Sequence, residues 1–378
     1  MTDPTTAPPP ATPTASAADF IATFAAVIAA IALLLVFDTG IAKVDRDANR
    51  SHATSEYQQG ESLSVHGKTA EAIDHFRTAA SLDRDKPGYS VALAQAILTV
   101  GNPEDAEQLL LPVLERNATD GATNLAMARV LVKEGRIEEA KSYYHRAIYG
   151  LWPSDAERNR ATARFELIDL LAKTGAKQDL LAELLPIQDA APNDTALRKR
   201  IAHLFVVAGS PARASEIFRD VLRQNSRDAD AYVGLAGAAL ALGNYPTARA
   251  DLTTAARLAP DDSAIQKRIV LTDSVIAIDP TQRGLGLDEQ IRRSRNLVEM
   301  TIASARKCLG TAAPEVAANL DSVSRTLVAP STGVSRSQAI DVNISLAVAL
   351  WRMRREKCPI GAPKDEEALS LVQERIAQ

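Results

Sequence analysis

The chain contains 378 residues, of which 46% are hydrophobic, 24% charged and only 4% aromatic. This composition supports a sizeable buried core and excludes a chain that is disordered throughout. With 43 basic and 47 acidic residues the formal net charge is -4, which disfavours nucleic-acid binding as the main function. Two cysteines and five histidines without metal-ligand spacing exclude a zinc framework, and we expect neither a metal nor a cofactor.

The first part of the chain divides into a tail and an apolar stretch. Residues 1–19 are rich in Pro, Thr and Ala, which predicts a disordered tail. Residues 20–37 form an uncharged run in which Thr23 is the only polar side chain. At about 1.5 Å per residue, a helix of this length reaches about 27 Å, close to the roughly 30 Å hydrocarbon core of a bilayer. We therefore predict a single transmembrane helix over residues 20–37, which would contact the lipid bilayer.

A cleaved signal peptide and a buried soluble helix are the alternatives for this stretch. A signal peptide requires a basic n-region, and no Lys or Arg precedes residue 20. Ala22, Ala26 and Ala30 have the small-xxx-small spacing that lets membrane helices associate, so a homo-oligomer through this helix is one expectation. An Ala-rich span also produces this spacing by chance.

The flanking cations predict the orientation of the span. The tail has no Lys or Arg, whereas Lys43, Arg46 and Arg50 follow the span. The positive-inside rule counts these cations and favours a cytoplasmic location for the long C-terminal part. A periplasmic location stays open, because a disulfide between the two cysteines would require an oxidising compartment.

A regular period runs through the middle of the chain. Glycines recur at one constant spacing in two groups of three, at Gly67, Gly101 and Gly135 and at Gly175, Gly209 and Gly243. Five residues after each glycine stands Ala, or Leu in one unit, and four residues later a bulky apolar residue. Apolar residues at helical spacing on both sides of a glycine predict two helices joined by a tight turn. Because one hairpin cannot bury its apolar face alone, we expect the six hairpins to stack.

The register and residue types of these units resemble the tetratricopeptide repeat. The sixth unit is nearest to that pattern, at Tyr232, Leu235, Ala236, Gly243, Tyr245, Ala248, Leu252, Ala255 and Pro260. Six units follow one another, at 53–86, 87–120, 121–154, 161–194, 195–228 and 229–262. The resemblance implies an all-α chain in which a superhelix of helical hairpins follows the transmembrane helix. Units one and four depart from the pattern, with Gln59 where Leu is usual and Ile168 and Leu180 at normally small positions.

Six residues are inserted between units three and four, around Trp152. Tyr143, Tyr144 and Tyr149 lie close by, in a chain that is poor in aromatic residues. An exposed aromatic cluster would be a contact point for a partner. The alternative is that these rings fill a widened joint between hairpins.

The resemblance also implies a concave groove lined by the second, fifth, ninth and twelfth residues of each unit, which we call the groove positions. The residues at these positions include Tyr57, Glu61, Val91, Gln95, Leu98, Leu125, Arg129, Val132, Phe165, Asp169, Lys199, His203, Val206, Val233 and Leu240. Such a mixed surface suits an extended or amphipathic segment of a protein partner. Alternatively, the Val and Leu residues pack against the second helices, which makes the charged Asp169 and Lys199 the better candidates for contact.

Residues 263–378 match no family that we recognise, and their pattern predicts helices. We expect a capping helix at 263–277 and further helices near 288–309, 314–327, 335–357 and 364–376. If 288–309 and 335–357 are the first and third helices of an up-down-up bundle, their C-terminal ends lie together. Cys308 and Cys358 sit at those ends, and a disulfide between them would contribute about 4 kcal/mol. Two free thiols are the alternative.

No catalytic motif occurs in the sequence, and His66 and His75 lie on or beside a repeat turn. In layout the chain resembles bacterial single-pass membrane proteins with tetratricopeptide repeats. We therefore predict a non-enzymatic scaffold or adaptor, anchored in the bacterial inner membrane, that binds protein or peptide partners in its groove. The alternatives are a soluble or secreted assembly chaperone and an enzyme with its site in the C-terminal helices.

Overall fold

The computed structural model describes residues 17–188, 194–312, 335–358 and 366–377, with side chains described except at 17–23, 34–42 and 308–312. The described residues form helices and turns, and their only β-type pairing is an isolated bridge between Asp120 and Leu151. The all-α class is therefore confirmed for this part of the chain. The chain divides into two compact units, Met1–Leu167 and Ile168–Gln378.

The first unit starts with one long helix and continues as helical hairpins. Its helices are α1 (Ala17–Val65), α2 (Thr69–Leu82), α3 (Pro87–Thr99), α4 (Pro103–Arg116), α5 (Gly121–Lys133) and α6 (Ile137–Tyr149). The next helix, α7 (Ala156–Thr174), contains the boundary between the two units. Because α1 has no break, the apolar stretch 20–37 and the first helix of unit one belong to the same helix.

The second unit continues the hairpins and ends in longer helices. Its helices are α8 (Lys177–Leu184), α9 (Thr195–Val207), α10 (Pro211–Gln224), α11 (Ala229–Ala241), α12 (Tyr245–Leu258), α13 (Ser263–Ile278), α14 (Leu287–Ala312), α15 (Arg336–Lys357) and α16 (Glu367–Ile376). A 3₁₀ turn at Leu185–Ile187 follows α8, the shortest second helix. The predicted capping helix corresponds to α13, whereas the predicted helix at 314–327 lies outside the described residues.

The hairpin interiors contain the small and bulky columns of the repeat. The six turn glycines all have positive φ, between 71° and 95°, which is the left-handed conformation expected after a first helix. Five residues later, the small column is fully buried in every unit, including Leu180, which replaces Ala in unit four. The bulky column is also buried throughout, at Phe76, Leu110, Tyr144, Leu184, Phe218 and Leu252.

The six inserted residues, which the predicted unit bounds place at 155–160, extend the first helix of unit four toward its N-terminus. The first helix of unit four, α7, has 19 residues, whereas α3 and α5 have 13 each. Trp152 instead packs over Gly121, where an added Cβ would lie 2.4 Å from the indole ring. Its Nε1 donates to the Ala147 carbonyl oxygen at 2.9 Å. Trp152 therefore packs within unit three, the buried Tyr144 reaches Glu166 of α7, and Tyr149 is 73% exposed.

The C-terminal helices pack with α12 and α13 around one core that includes Tyr245, Val275, Leu297, Trp351 and Val372. Helices α14 and α15 run parallel. Two contacts between them join residues that are separated by nearly the same number of positions, 48 and 49. Arg336 donates to Asp288 at 2.9 Å, and Asn343 donates to Ser294 at 3.0 Å. Asp288 therefore pairs with α15 from within the first turn of α14.

The predicted membrane segment is only partly described. No helix in the described part of the chain combines the length and apolar character of a membrane span. The side chains of 20–23 and 34–37 lie outside the described residues, and those of 24–33 are all exposed. The transmembrane helix therefore stays a prediction. The predicted tail lies outside the described residues up to residue 16, and α1 already includes residues 17–19.

Candidate partner-binding surface

The groove positions lie on the first helices, and they differ in exposure. In the first unit Glu61 and Gln95 are exposed, whereas Leu125 is buried and offers little surface to a partner. The half-buried residues of that unit are Tyr57, Val91, Leu98, Arg129, Val132 and Phe165. In the second unit His203 is exposed, and the half-buried residues are Asp169, Lys199, Val206, Val233 and Leu240.

Tyr57 belongs mainly to the interior of the first hairpin. Its ring lies 5.6 Å from that of Phe76 and 5.1 Å from that of Tyr89, measured between centroids. Burial, together with a hydrogen bond to Glu61, raises the pKa of Tyr57 to about 12. The Tyr57 hydroxyl lies beside the exposed Glu61.

Arg129 of α5 forms a bidentate ion pair with Glu166 of α7. Its Nε donates to Oε2 at 2.9 Å and its Nη2 to Oε1 at 2.6 Å. The Tyr144 hydroxyl donates to the same carboxylate at 3.4 Å. The hydrogen bonds to Glu166 raise the pKa of Arg129. Because two parallel hydrogen bonds fix both side chains, this pair defines the spacing of two neighbouring first helices.

Three further ion pairs in the second unit involve groove positions on first helices. Arg200 of α9 donates to both carboxylate oxygens of Asp169, at 2.7 and 2.8 Å. Lys199 donates to Asp228 at 3.0 Å and to Asp230 at 3.2 Å. Asp169 and Lys199, predicted as partner contacts, are therefore already paired within the chain.

The pairs Arg129–Glu166, Asp169–Arg200 and Lys199–Asp230 follow one rule of register, whereas Lys199–Asp228 spans 29 residues. Asp169 and Lys199 are each 31 residues before a partner, which is three positions short of the repeat period. Arg129 and Glu166 are 37 residues apart, because the insertion lengthens the spacing between units three and four, and this distance is again three positions short of that spacing. In each of these pairs, one residue is at a groove position. Its partner lies on the next first helix, about one helical turn before the matching groove position of that helix. At the other groove positions the exposed residues are Glu61, Gln95 and His203, and the half-buried residues are mostly apolar.

His203 is the exposed titratable residue among the groove positions of the second unit. Its ring packs edge-on against Phe218, with 5.0 Å between the centroids. Desolvation lowers the pKa of His203, and the positive charge of Arg268 adds to this effect. The imidazole is therefore predominantly neutral at pH 7 and presents a polar but uncharged contact.

Sequence reasoning missed the acidic residues that begin several first helices. Each accepts a hydrogen bond from a backbone N–H of the first turn, and the residues are Asp120, Asp194, Asp228 and Asp262. The last three share the spacing of the turn glycines, so the signal was available as a column of N-caps. Asp228 has two roles, because it also accepts from Lys199.

The cysteines and candidate metal ligands lie outside this surface. Cys358 is disulfide-bonded, whereas the side chain of Cys308 lies outside the described residues, so the Cys308–Cys358 pair stays a prediction. Within the described ranges, no group of His, Cys, Asp and Glu side chains is arranged to hold a metal ion.

The stacked hairpins, with their ion-paired first helices, define a helical repeat protein. Models of the tetratricopeptide repeat match residues 66–130, 122–149 and 199–263. The chain therefore contains tetratricopeptide repeats, as the sequence predicted.

The chain also resembles known proteins. It is 27% identical over 183 residues to cellulose synthase operon protein C of Pseudomonas fluorescens (strain SBW25), covering 46% of this chain and 14% of that protein. It is 22% identical over 214 residues to DnaJ homolog subfamily C member 3 of Gallus gallus, covering 54% and 42%. The chain thus spans less than half the length of these curated relatives. The solved structure of YrrB, a tetratricopeptide repeat protein with an unusual peptide-binding site, is similar with a TM-score of 0.40 and 20% identity, covering 51% of this chain and 96% of YrrB.

Proposed function

We propose that this protein is a membrane-anchored scaffold that binds a segment of a protein partner across the first helices of its repeats, without catalysis of its own. The observation that carries the proposal is the pairing of charges at the groove positions. Asp169 and Lys199 are neutralised by neighbouring helices, whereas Val206, Val233 and Leu240 remain half-buried. A surface of this kind favours apolar side chains of a partner, with exposed polar residues such as His203 fixing their register.

The apolar start of α1 supports the membrane anchor. Phe24, Val27, Ile28, Ile31 and Leu33 are all at least 52% exposed. Exposed apolar residues on every turn of a helix are costly in water and stable in lipid. The exposed apolar side chains of this segment are therefore suited to the interior of a bilayer. The cation count after the span favours a cytoplasmic location for the repeats.

Site-specific photo-crosslinking tests the binding surface. A photoreactive amino acid is placed at Gln95 or His203, both exposed at groove positions, and at the exposed Gln108 or Glu216 on second helices as matched controls. We expect discrete crosslinked partners from the first pair and none from the controls. Equal labelling from all four positions would contradict binding across the first helices.

Membrane anchoring requires a separate measurement. The intact chain should stay in the membrane pellet after alkaline carbonate extraction, whereas a variant with Ile28→Asp and Ile31→Asp should be released, because charged residues at the centre of a span are costly. Release of the unchanged chain would contradict the anchor. Protease treatment of spheroplasts then distinguishes a cytoplasmic from a periplasmic location, since only periplasmic repeats are digested.

A further inference from the structure

The turns between consecutive hairpins of the first unit form one continuous edge, which we call the turn edge and define as residues 83–86, 117–120 and 150–155. One contact links it to α1, since the Arg50 Nε lies 3.9 Å from the Asp83 carboxylate. Two more contacts link its turns in sequence. Arg116 donates to the Arg84 carbonyl oxygen at 3.5 Å, and the Leu151 N–H donates to the Thr119 carbonyl oxygen at 2.8 Å. The turn edge thus lies on the same side of the hairpins as the N-terminal extension of α1.

This geometry follows from the hairpin order. Helix α1 runs away from its apolar start, and α2 returns toward it, so the turn after α2 lies level with Arg50. The turns after α4 and α6 repeat this arrangement. The turns within hairpins, which follow Val65 and Val100, lie at the opposite edge.

Large apolar side chains are exposed at the far end of the turn edge. Tyr149, the last residue of α6, is 73% exposed, and Leu151 is 65% exposed. Trp152 and Pro153 follow directly, with the Trp152 ring half-buried over Gly121. Tyr and Trp beside an aliphatic residue are the side chains that favour the boundary between lipid and water.

We propose that the far end of the turn edge reaches the surface of the membrane in which α1 is anchored, with Tyr149 and Leu151 entering the lipid interface. This inference rests on the proposed anchor. From the end of the apolar stretch to Arg50 is about 12 residues, or about 18 Å of helix. The headgroup region fills about 5–8 Å of that distance. The far end of the turn edge lies about 25 Å to the side of α1. A tilt of α1 by about 20° toward that side lowers the far end by about 9 Å and brings it to the interface.

The charges of the turn edge decide which lipids it fits. In and beside its first two turns the acidic residues outnumber the basic ones. The acids are Asp83, Asp85, Glu115 and Asp120, and the cations are Arg84, Lys86 and Arg116. Without a net positive charge, the edge gains little from anionic lipids, and its contact with the membrane depends on apolar and aromatic insertion. Zwitterionic phosphatidylcholine is therefore a sufficient partner surface.

Lipid quenching of an added tryptophan tests the proposal in the full chain. Tyr149→Trp and the matched control Val65→Trp, at an 85% exposed position on the opposite edge, are reconstituted separately into phosphatidylcholine vesicles. The unchanged chain, with its two native tryptophans, supplies the baseline. With lipids brominated near the headgroups, we expect the emission added at residue 149 to fall about twofold or more, and the emission added at residue 65 to stay constant.

Flotation of the same vesicles separates the two proposals. If the chain does not float with the vesicles, both the anchor and the membrane contact are wrong. If the chain floats and the added emission at residues 149 and 65 is quenched equally, the anchor stands and the contact is wrong. In that case Tyr149 and Leu151 would face a protein partner. Quenching at residue 149 that appears only with anionic lipid would contradict the argument that the edge, without a net positive charge, depends on apolar and aromatic insertion.

Discussion

The repeats and the C-terminal helices bury different kinds of side chain. Within the hairpins, the buried columns are mostly apolar, as at Ala248 and Leu252, and the ion pair Asp169–Arg200 is about half exposed. In the C-terminal helices, Glu366 is only 7% exposed, and it accepts from Ser304 at 2.5 Å and from Arg354 at 2.9 Å.

A second polar contact lies in the same C-terminal core. Gln373 of α16 is fully buried and donates to Thr301 of α14 at 2.7 Å. Apolar columns tolerate small shifts between hairpins, whereas buried hydrogen bonds require one geometry. The difference indicates that repeat stacking supplies stability, and that polar contacts specify how the short helix α16 docks. Substitutions in the two regions test that division, from the largest expected effect to the smallest.

Replacing Glu366 with Ala should have the largest effect. The change leaves the buried Arg354 guanidinium without its carboxylate partner, and breaking a buried ion pair in this way costs about 3–5 kcal/mol. We expect lower stability in urea unfolding, together with faster amide exchange in α16 than in α11. A paired variant, Glu366→Leu with Arg354→Met, removes both charges and should recover most of the loss. If the single and the paired variant are equally unstable, the ion pair does not specify the docking.

Replacing Leu110 with Ala tests the apolar interior of the repeats. Leu110 is fully buried in α4, so the change should cost about 2–5 kcal/mol through lost burial and the cavity left behind. The adjacent Leu111 is 42% exposed, and Leu111→Ala should cost less than about 0.5 kcal/mol. Thermal unfolding of both variants supplies the comparison, and similar losses would contradict the assigned faces of α4.

Replacing Asp262 with Ala tests the N-cap column. The Asp262 carboxylate accepts from the Ala264 N–H at 2.8 Å at the start of α13, and losing such a cap costs about 1 kcal/mol. Asp262→Asn keeps an acceptor and should lose much less. Urea unfolding of both variants measures the difference. Equal losses would mean that the negative charge matters more than the hydrogen bond.

Glu289, near the start of α14, gives a test by pH. Hydrogen bonds from Arg292 and Arg293 lower the pKa of Glu289 from 4.5 to about 2. A lowered pKa in the folded state means that the carboxylate stabilises the fold fully above about pH 4.5, and that this contribution is lost as the pH falls toward 2. NMR titration should show the low pKa in the unchanged chain and a higher one in Arg292→Gln. An unchanged pKa in that variant would assign the effect to Arg293 alone.

The fold could be predicted further from the sequence than the surface chemistry. Local periodicity and the turn glycines, such as Gly135 and Gly209, contain the information for each hairpin, because the contacts that bury its interior are short-range. The unit bounds locate the inserted residues between 154 and 161, but the sequence did not show that they extend α7 back to Ala156.

The ion pairs were missed for a different reason. The groove positions were considered one unit at a time, whereas Asp169 and Arg200 meet only when two neighbouring first helices are placed side by side. A search for opposite charges at an offset of 31 residues would have found this pair and Lys199–Asp230. Contacts such as Gln373 with Thr301, 72 residues apart, follow no repeat period and need the three-dimensional structure.

The Asp169–Arg200 pair should give the smallest effect on stability. Both side chains are about half exposed, so the coupling energy should be about 0.2–1 kcal/mol and should weaken at high salt. A double-mutant cycle with Asp169→Asn and Arg200→Gln measures it. The swapped variant Asp169→Arg with Arg200→Asp keeps the pair and should restore stability.

If the swap restores stability and also partner crosslinking at His203, the pair is a spacer between first helices. If stability returns and crosslinking does not, Asp169 or Arg200 contacts the partner directly, as the sequence first suggested for Asp169.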